Sequence, residues 1–203
     1  DSDGDMDVLS ASPYDNTIAW YENNGSQAFT SHEISTTATW ATSVVATDMD
    51  GDGDIDVLST APDANKIAWY ENDGDENFTE RVVSTTTIAP RDAYAIDLDG
   101  DGDMDVVSAA HGANQVAWHE NDGAENFSLH RIDSFTGILA YGIFSADMDG
   151  DGDLDVLSAT YQDNKIAWYE NNATPTPDAI GNLTVNEDAA EQTVNFAGAG
   201  PGD

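Results

Sequence analysis

Short runs of alternating hydrophobic and polar residues recur along most of the chain. In one unit these runs span residues 41–47, 56–61, 66–71 and 77–83. Successive side chains of a β-strand point to opposite faces, so this alternation predicts strands. Turn-forming residues bound the runs, as in Pro62-Asp-Ala-Asn and Asn72-Asp-Gly-Asp. No segment sustains the 3.6-residue period of a helix, and the pattern therefore predicts an all-β fold.

Two signatures repeat along the chain. The acidic segment Asp-x-Asp-Gly-Asp-Gly-Asp-x-Asp begins at Asp48, Asp97 and Asp147, and a clipped copy begins at Asp1. The second signature, Ile-Ala-Trp-Tyr-Glu-Asn, occupies residues 18–23, 67–72 and 166–171, with Val-Ala-Trp-His-Glu-Asn at 116–121. Its copies are separated by 49, 49 and 50 residues, a period typical of solenoids, propellers or arrays.

Four short strands in each unit of this length predict the blade of a β-propeller. A β-helix would need much shorter rungs, and we rank it lower. The units lie near residues 1–47, 48–96, 97–146 and 147–171, which makes about three and a half four-stranded antiparallel blades. Residues 172–181 contain two prolines and indicate a linker. Residues 182–203 contain two strand-like runs and form a short β extension.

The strongly acidic composition of the chain favours cations as binding partners. The chain has 40 Asp and Glu residues against 5 Lys and Arg residues, a net charge of −35, while 39% of its residues are hydrophobic. Self-repulsion at this charge opposes a compact state unless cations bind, and it argues against nucleic acid as a partner. No cysteine is present, so disulfides and zinc–thiolate sites are excluded. No membrane-inserting segment is evident either.

The acidic segments have the chemistry of metal-binding loops. Carboxylates stand at loop positions 1, 3, 5 and 9, and a glycine stands at position 6, where a calcium loop turns sharply. Position 7 is expected to ligate through its main-chain carbonyl. The candidate ligands of the three complete loops are Asp48, Asp50, Asp52, Asp54, Asp56, Asp97, Asp99, Asp101, Asp103, Asp105, Asp147, Asp149, Asp151, Asp153 and Asp155. Asp1, Asp3, Asp5 and Asp7 form a fourth, incomplete site.

Several carboxylates that converge on one point repel each other unless a hard divalent cation lies between them. A flexible ring of six or seven oxygens favours Ca²⁺ over Mg²⁺, which retains its own waters. The alternative is that these loops are solvated acidic turns. The intact repetition of the spacing favours three complete Ca²⁺ sites, with a fourth that lacks its position-1 ligand.

The repeated unit resembles the FG-GAP/VCBS repeat, the blade of integrin-α-like calcium-binding β-propellers. The resemblance covers residues 1 to about 171, and it implies a four-stranded blade whose first two strands are joined by a calcium loop near one rim. The hydrophobic-Gly motifs that give FG-GAP its name are poorly represented, so the VCBS branch fits better. Residues 182–203 resemble the opening of a bacterial Ig-like or cadherin-like module.

Trp20, Trp69, Trp118 and Trp168 share one register of the third strand and are predicted to pack between blades; a ring of sugar-stacking platforms is the alternative. Tyr21, Tyr70, His119 and Tyr169 follow them and point to the opposite face. Blades stacked on both sides would conceal both sets.

No pattern in the sequence indicates catalysis. The four histidines, His32, His111, His119 and His130, are scattered, and metalloprotease, nucleophile-elbow and phosphate-loop motifs are missing. We therefore expect a non-enzymatic, calcium-stabilised structural or adhesive module that is extracellular, either secreted or on a cell surface. A lectin-like propeller that binds a glycan or a surface protein is the alternative.

The incomplete first and last blades would expose strand edges and apolar faces. We expect either a longer propeller or a homo-oligomeric or filament neighbour that supplies the missing strands, with residues 182–196 as a candidate donated strand.

Overall fold

The computed structural model describes residues 3–134, 139–162 and 164–172. Apart from a 3₁₀ turn at Pro62–Ala64, its regular elements are strands. They are β1 (Val8–Ser12), β2 (Thr17–Asn23), β3 (Phe29–Ser35), β4 (Ser43–Thr47), β5 (Asp56–Ala61), β6 (Lys66–Asn72), β7 (Phe78–Ser84), β8 (Pro90–Ile96), β9 (Asp105–Ala110), β10 (Gln115–Asn121), β11 (Phe127–Ser134), β12 (Ala140–Ala146), β13 (Asp155–Thr160) and β14 (Lys165–Tyr169).

These strands form four antiparallel sheets in which each strand pairs with its neighbour in sequence. Two sheets have four strands, in the orders β4-β5-β6-β7 and β8-β9-β10-β11. The other two, β1-β2-β3 and β12-β13-β14, have three strands in the described part of the chain. We call the sheets blades 1 to 4 in chain order. The all-β prediction and the propeller-type blade are confirmed.

The second signature forms the third strand of blades 2, 3 and 4, and the second strand, β2, of blade 1. It carries an irregularity that repeats in blades 1 to 3. The register shifts between Ile18 and Ala19, between Ile67 and Ala68, and between Val116 and Ala117. A bulge at the same position of successive blades increases the local twist of each sheet. The repetition shows that the sequence period is also a period of backbone geometry.

Both faces of this strand are buried. Trp69 and Trp118 are 1% and 5% exposed, which confirms the prediction that the tryptophan register packs between blades. Tyr70 and His119, on the opposite face, are 3% and 1% exposed. The stacking of blades buries the other members of both sets except Tyr21 and Trp168, which are partly exposed in the first and last blades, so neither set forms a ring of exposed sugar platforms.

The hydrophobic core lies between successive blades. One cluster joins Leu58 and Trp69 of blade 2 to Val106 of blade 3, and Met49 of the acidic loop is buried within it. A second cluster joins blades 3 and 4. Burial of each large side chain contributes about 1.5–3 kcal/mol, so a blade gains most of its stability from its neighbours.

The first strands of successive complete units lie next to each other. β8 contacts both β4 and β12, and β1 contacts β4. Asp92 of β8 links three blades, because its Oδ1 accepts a hydrogen bond of 2.7 Å from Ser43 Oγ and its Oδ2 one of 3.0 Å from Ile143 N.

The predicted linker and the predicted strands of residues 182–203 lie outside the described residues, apart from Asn172. The resemblance of that stretch to an Ig-like or cadherin-like module therefore stays a prediction.

Candidate metal centres

Each of the three complete acidic segments forms the loop between two paired strands at one end of a blade. The loop of blade 2 leaves β4 after Thr47 and enters β5 at Asp56. Gly51 and Gly53 have φ of 76° and 100°, a conformation that glycine adopts without steric cost. The corresponding glycines of the next two loops have the same backbone geometry, so the three loops turn alike.

The loops bring carboxylate oxygens together. Asp48, Asp50 and Asp56 each place one oxygen within 4.8 Å of the others, and Asp147, Asp149 and Asp155 do the same in blade 4. In blade 3 the corresponding group is Asp97, Asp99 and Asp101. The predicted ligand positions 1, 3, 5 and 9 thus contribute to these groups, although no single loop has all four within that distance.

Position 1 holds the turn together. In blade 2, Asp48 Oδ1 accepts a hydrogen bond of 2.8 Å from Gly51 N, and Oδ2 accepts one of 3.1 Å from Gly53 N. Asp97 and Asp147 accept the equivalent pairs of bonds in their own loops. These bonds fix the carboxylate while each oxygen keeps a further lone pair for a metal ion.

Positions 3 and 5 continue the same pattern. Asp50 Oδ1 accepts from Asp52 N at 3.2 Å, and Asp52 Oδ1 accepts from Asp54 N at 2.8 Å. Asp101 and Asp151 lie at position 5 of the other two loops and accept equivalent bonds. Each short bond orients one carboxylate along the loop, and the backbone supplies positive partial charge that offsets part of the repulsion.

Position 7 does not join these groups. A Cβ atom placed on Gly74 would lie 2.6 Å from Oδ2 of Asp54, so this carboxylate packs against the β6–β7 hairpin. Asp103 packs in the same way on Gly123, and Asp5 on Gly25. The expectation that position 7 offers its backbone carbonyl to the metal stays a prediction. In blade 4 the corresponding residue is Asp153, and burial together with the neighbouring carboxylates raises its pKa.

Position 9 is the buried end of each loop. Asp56 and Asp105 are inaccessible to solvent. Oδ2 of Asp56 accepts from Met49 N, and Oδ1 accepts from Asn72 N, both at 2.8 Å. Burial raises the pKa of Asp56 to about 6 and that of Asp105 to about 7, although the backbone N–H donors oppose the shift. Burial likewise raises the pKa of Asp155. A bound divalent cation would favour the ionised forms instead.

The sequence interpretation missed the asparagine that ends the second signature. Besides donating from its backbone to Asp56, Asn72 donates from Nδ2 to the carbonyl of Ile55 at 3.2 Å. Its Oδ1 accepts from Gly74 N at 3.2 Å and from Glu76 N at 3.1 Å. The same side chain therefore joins the acidic loop to the hairpin. The repeated Glu-Asn pair at the end of the signature is the sequence signal for this role.

The first acidic segment is partly described. Asp3 Oδ1 accepts from Asp5 N at 2.8 Å, and Asp7 Oδ1 accepts from Asn23 N at 2.8 Å, as at positions 5 and 9 of the complete loops. Asp1 lies outside the described residues, so the fourth site stays a prediction.

The donor sets of the three complete loops fit a hard cation. All the converging side chains offer carboxylate oxygens, and no sulfur or imidazole ligand lies among them in the described part of the chain. Burial, with a smaller contribution from neighbouring carboxylates, raises the pKa of Asp50 and Asp99. These features match the oxygen-rich sites that hold calcium or magnesium.

A family model described as an FG-GAP-like repeat matches residues 1–59, 48–108 and 97–158. The chain belongs to the FG-GAP-like repeat family. Each matched segment begins in one acidic loop and ends in the strand that follows the next acidic loop. No curated protein matches this chain.

Solved structures support the propeller architecture. A lectin from Agrocybe aegerita, described in terms of specific recognition of non-reducing terminal N-acetylglucosamine, matches with a TM-score of 0.53 and 16% sequence identity. The match covers 87% of this chain and 51% of the lectin, so this FG-GAP-like chain spans about half the lectin's length. The likeness shows the fold. Within the described residues, no helix is long and apolar enough to cross a membrane.

Proposed function

We propose that this FG-GAP-like chain is a calcium-stabilised, non-enzymatic structural or adhesive module of an extracellular or cell-surface protein. The observation that carries the proposal is the convergence of carboxylates in three successive loops. Calcium bound in each loop would neutralise this charge and hold the ends of neighbouring strands together. Asp48, Asp50, Asp52 and Asp56 would bind it in blade 2, with the equivalent residues in blades 3 and 4.

The proposal is tested by thermal unfolding with calcium and with EGTA. An ion that binds only the folded state stabilises it by about 2.7 kcal/mol at a free concentration one hundred times its Kd. We expect calcium to raise the melting temperature by many degrees and EGTA to reverse the shift. Asp48→Asn, Asp97→Asn and Asp147→Asn should each reduce the shift, whereas Asp63→Asn, on an exposed turn, should not. An EGTA-insensitive melt would contradict the proposal.

A cavity between blades 1 and 2 supports association as part of this function. It has a volume of about 460 Å³ and is lined by Leu9, Trp20, Val57 and Phe78 together with several polar residues. The equivalent residues between blades 2 and 3 are Leu58, Trp69, Val106 and Phe127, and they pack with Val45 of β4 and Met49. Blade 1 has no described counterpart of β4, so a strand of that kind fits this cavity.

We propose that such a strand is supplied by a second copy of the chain, with residues 182–196 as its source. Ala46 is exposed and lines the cavity, so Ala46→Arg would obstruct it without disturbing the core. Both this variant and deletion of residues 179–203 should give monomers in light scattering. Ala64→Arg, on the exposed turn after β5, is the matched control. Unchanged assembly after the deletion would refute the donated strand.

Carbohydrate binding is the second candidate function. It is favoured by exposed aromatic side chains at the ends of the blades opposite the acidic loops, where Tyr141 and Tyr161 are 42% and 69% exposed. The description of the Agrocybe aegerita lectin points the same way. Retention of the calcium-loaded chain on a glycan array would support this function, and failure of the chain to bind any glycan on the array would exclude it.

A further inference from the structure

Four side chains meet at the junction of blades 3 and 4, at the strand ends opposite the acidic loops. They are Arg91 of β8, His111 of the turn after β9, Tyr141 of β12 and Tyr161 of the turn after β13. We refer to them as the Arg91 cluster. None belongs to a predicted metal loop or to either repeated signature.

The repeat explains why these side chains meet. Arg91 and Tyr141 hold the same position in successive blades, and so do His111 and Tyr161. His111 N donates to Ala89 O at 3.1 Å, and Tyr161 N donates to Leu139 O at 2.9 Å, so both turns are fixed against the chain that enters their blade. The turns of blades 1 and 2 have Pro13 and Pro62 at this position, so the cluster is specific to blades 3 and 4.

The rings surround Tyr141. The His111 ring lies 5.3 Å away at 89°, the Tyr161 ring lies 5.6 Å away at 53°, and the Arg91 guanidinium lies 5.7 Å from the Tyr141 centroid. Tyr161 is largely exposed and Tyr141 is 42% exposed, whereas Arg91 and His111 are half-buried. Rings held at fixed angles beside one cation offer an apolar face and a charged end together.

The Arg91 guanidinium has no acidic partner in the described part of the chain. Lys66 and Arg81 form ion pairs with glutamates at 2.7 Å and 2.6 Å, but Arg91 forms none with the described residues. Its Nε is buried and has no hydrogen-bond partner there. In a chain with 40 acidic residues, an unpaired and partly buried guanidinium is suited to an anion from outside the molecule.

The net negative charge does not prevent this. The acidic loop of blade 3 and the Arg91 cluster lie at opposite ends of β9, whose six residues span about 20 Å. The Debye length at physiological ionic strength is about 8 Å, so the repulsion of the loops is largely screened at the cluster.

The size of the cluster favours a small ligand over a protein. Stable protein interfaces bury roughly 800 Å² on each partner, whereas here two exposed tyrosines and the edges of two further side chains are available. Small-molecule sites combine apolar rings with a few fixed polar groups in this way.

We propose that the Arg91 cluster binds a sugar that carries a carboxylate, such as a uronic acid residue of a surface polysaccharide. The tyrosine rings pack against the C–H face of the pyranose, and the Arg91 guanidinium binds its carboxylate. This inference rests on the carbohydrate-binding candidate function and specifies its ligand class and site.

The test uses the calcium-loaded chain of 203 residues and isothermal titration calorimetry. The probes are trisaccharides of galacturonic, glucuronic and mannuronic acid, each beside its methyl ester, in matched calcium buffer. At least one acid should bind, and its ester should bind about tenfold more weakly, because the neutral ester cannot form charge-assisted hydrogen bonds with the guanidinium. Arg91→Gln should weaken binding of the acid to the level of the ester, and Arg91→Lys should restore part of it.

Tyr161→Ala provides a second variant that removes an exposed ring and leaves the fold intact, and it should weaken binding of acid and ester alike. Tyr14→Ala, in an exposed position on blade 1, is the matched control and should bind as the parent does. Equal affinity for acid and ester, or full binding by Arg91→Gln, would overturn this proposal but would still support carbohydrate binding as a function. No binding to any sugar would overturn both. Capture of a glutamate-rich peptide without sugar binding would reassign the cluster to a protein partner.

Discussion

His119 replaces the tyrosine found at the same position of the other three blades. It is 1% exposed, and its Nε2 lies 3.0 Å from Ser108 Oγ. Burial lowers its pKa from 6.5 to about 4, with a smaller contribution from the charge of His130. The folded state therefore holds His119 neutral, whereas the unfolded chain protonates it near its ordinary pKa.

The first prediction concerns the acid sensitivity that His119 adds. Because its folded pKa is depressed, its contribution to stability is present above pH 6.5 and is lost as the pH falls towards 4. At pH 5 the loss is about 2 kcal/mol. His119→Tyr should remove this component, since Tyr70 and Tyr169 are buried at equivalent positions. Denaturant unfolding at pH 7 and pH 5 measures the difference, and an equal pH dependence in both proteins would contradict it.

Asn72 illustrates a second effect at the residue scale, because one side chain bonds two separate segments. We predict that Asn72→Ala destabilises the calcium-loaded protein by about 1–3 kcal/mol, since the Ile55 carbonyl and two backbone N–H groups lose their partner. It should also weaken calcium binding to the loop of blade 2. Asn77→Ala, which removes bonds within the exposed hairpin alone, should have a smaller effect on both. Calorimetric calcium titration and urea unfolding provide the two readouts.

At the scale of elements, the connection between blades depends on residues that do not repeat. Ser43 and Gly142 hold the positions in blades 2 and 4 that Asp92 holds in blade 3, and a Cβ on Gly142 would lie 4.0 Å from Asp92 Oδ2. That distance is ordinary van der Waals contact, and the carboxylate reaches Ile143 N, next to Gly142. One carboxylate therefore fixes the relative positions of three sheets.

We predict that Asp92→Ala lowers the free energy of unfolding by about 1–3 kcal/mol, because Ile143 N is left without its hydrogen-bond partner at the blade junction. Ser43→Ala removes only the other bond and should cost less. Hydrogen exchange of the Ile143 amide should quicken in Asp92→Ala and not in Ser43→Ala. Unchanged exchange in both variants would show that the carboxylate does not hold the blades together.

The strands themselves were predictable because local alternation decides them. The runs at 56–61 and 66–71 correspond to β5 at Asp56–Ala61 and β6 at Lys66–Asn72. Carboxylate convergence in the loops also followed from spacing. The role of Asp92 and the Arg91 cluster did not, since both depend on how sheets stack, and stacking brings together residues 49 to 51 positions apart that vary between repeats.

At the scale of the whole molecule, charge and repeat geometry oppose each other. The blades stack through apolar faces, but this stacking places successive acidic loops along one rim, and the net charge is −35. Glu125 of blade 3 and Glu71 of blade 2 both lie near Arg81, which offsets a small part of this repulsion. The rest must be met by ions from solution.

The last prediction separates general screening from specific binding. In EGTA, raising sodium chloride from about 0.05 M to 1 M should stabilise the protein, because the Debye length shortens to about 3 Å and repulsion between loops falls. With saturating calcium the same change should have a much smaller effect, since the ion already neutralises each carboxylate group. Melting temperatures in the four conditions measure this. If salt alone stabilised the protein as much as calcium, the loops would act as diffuse charge and not as sites.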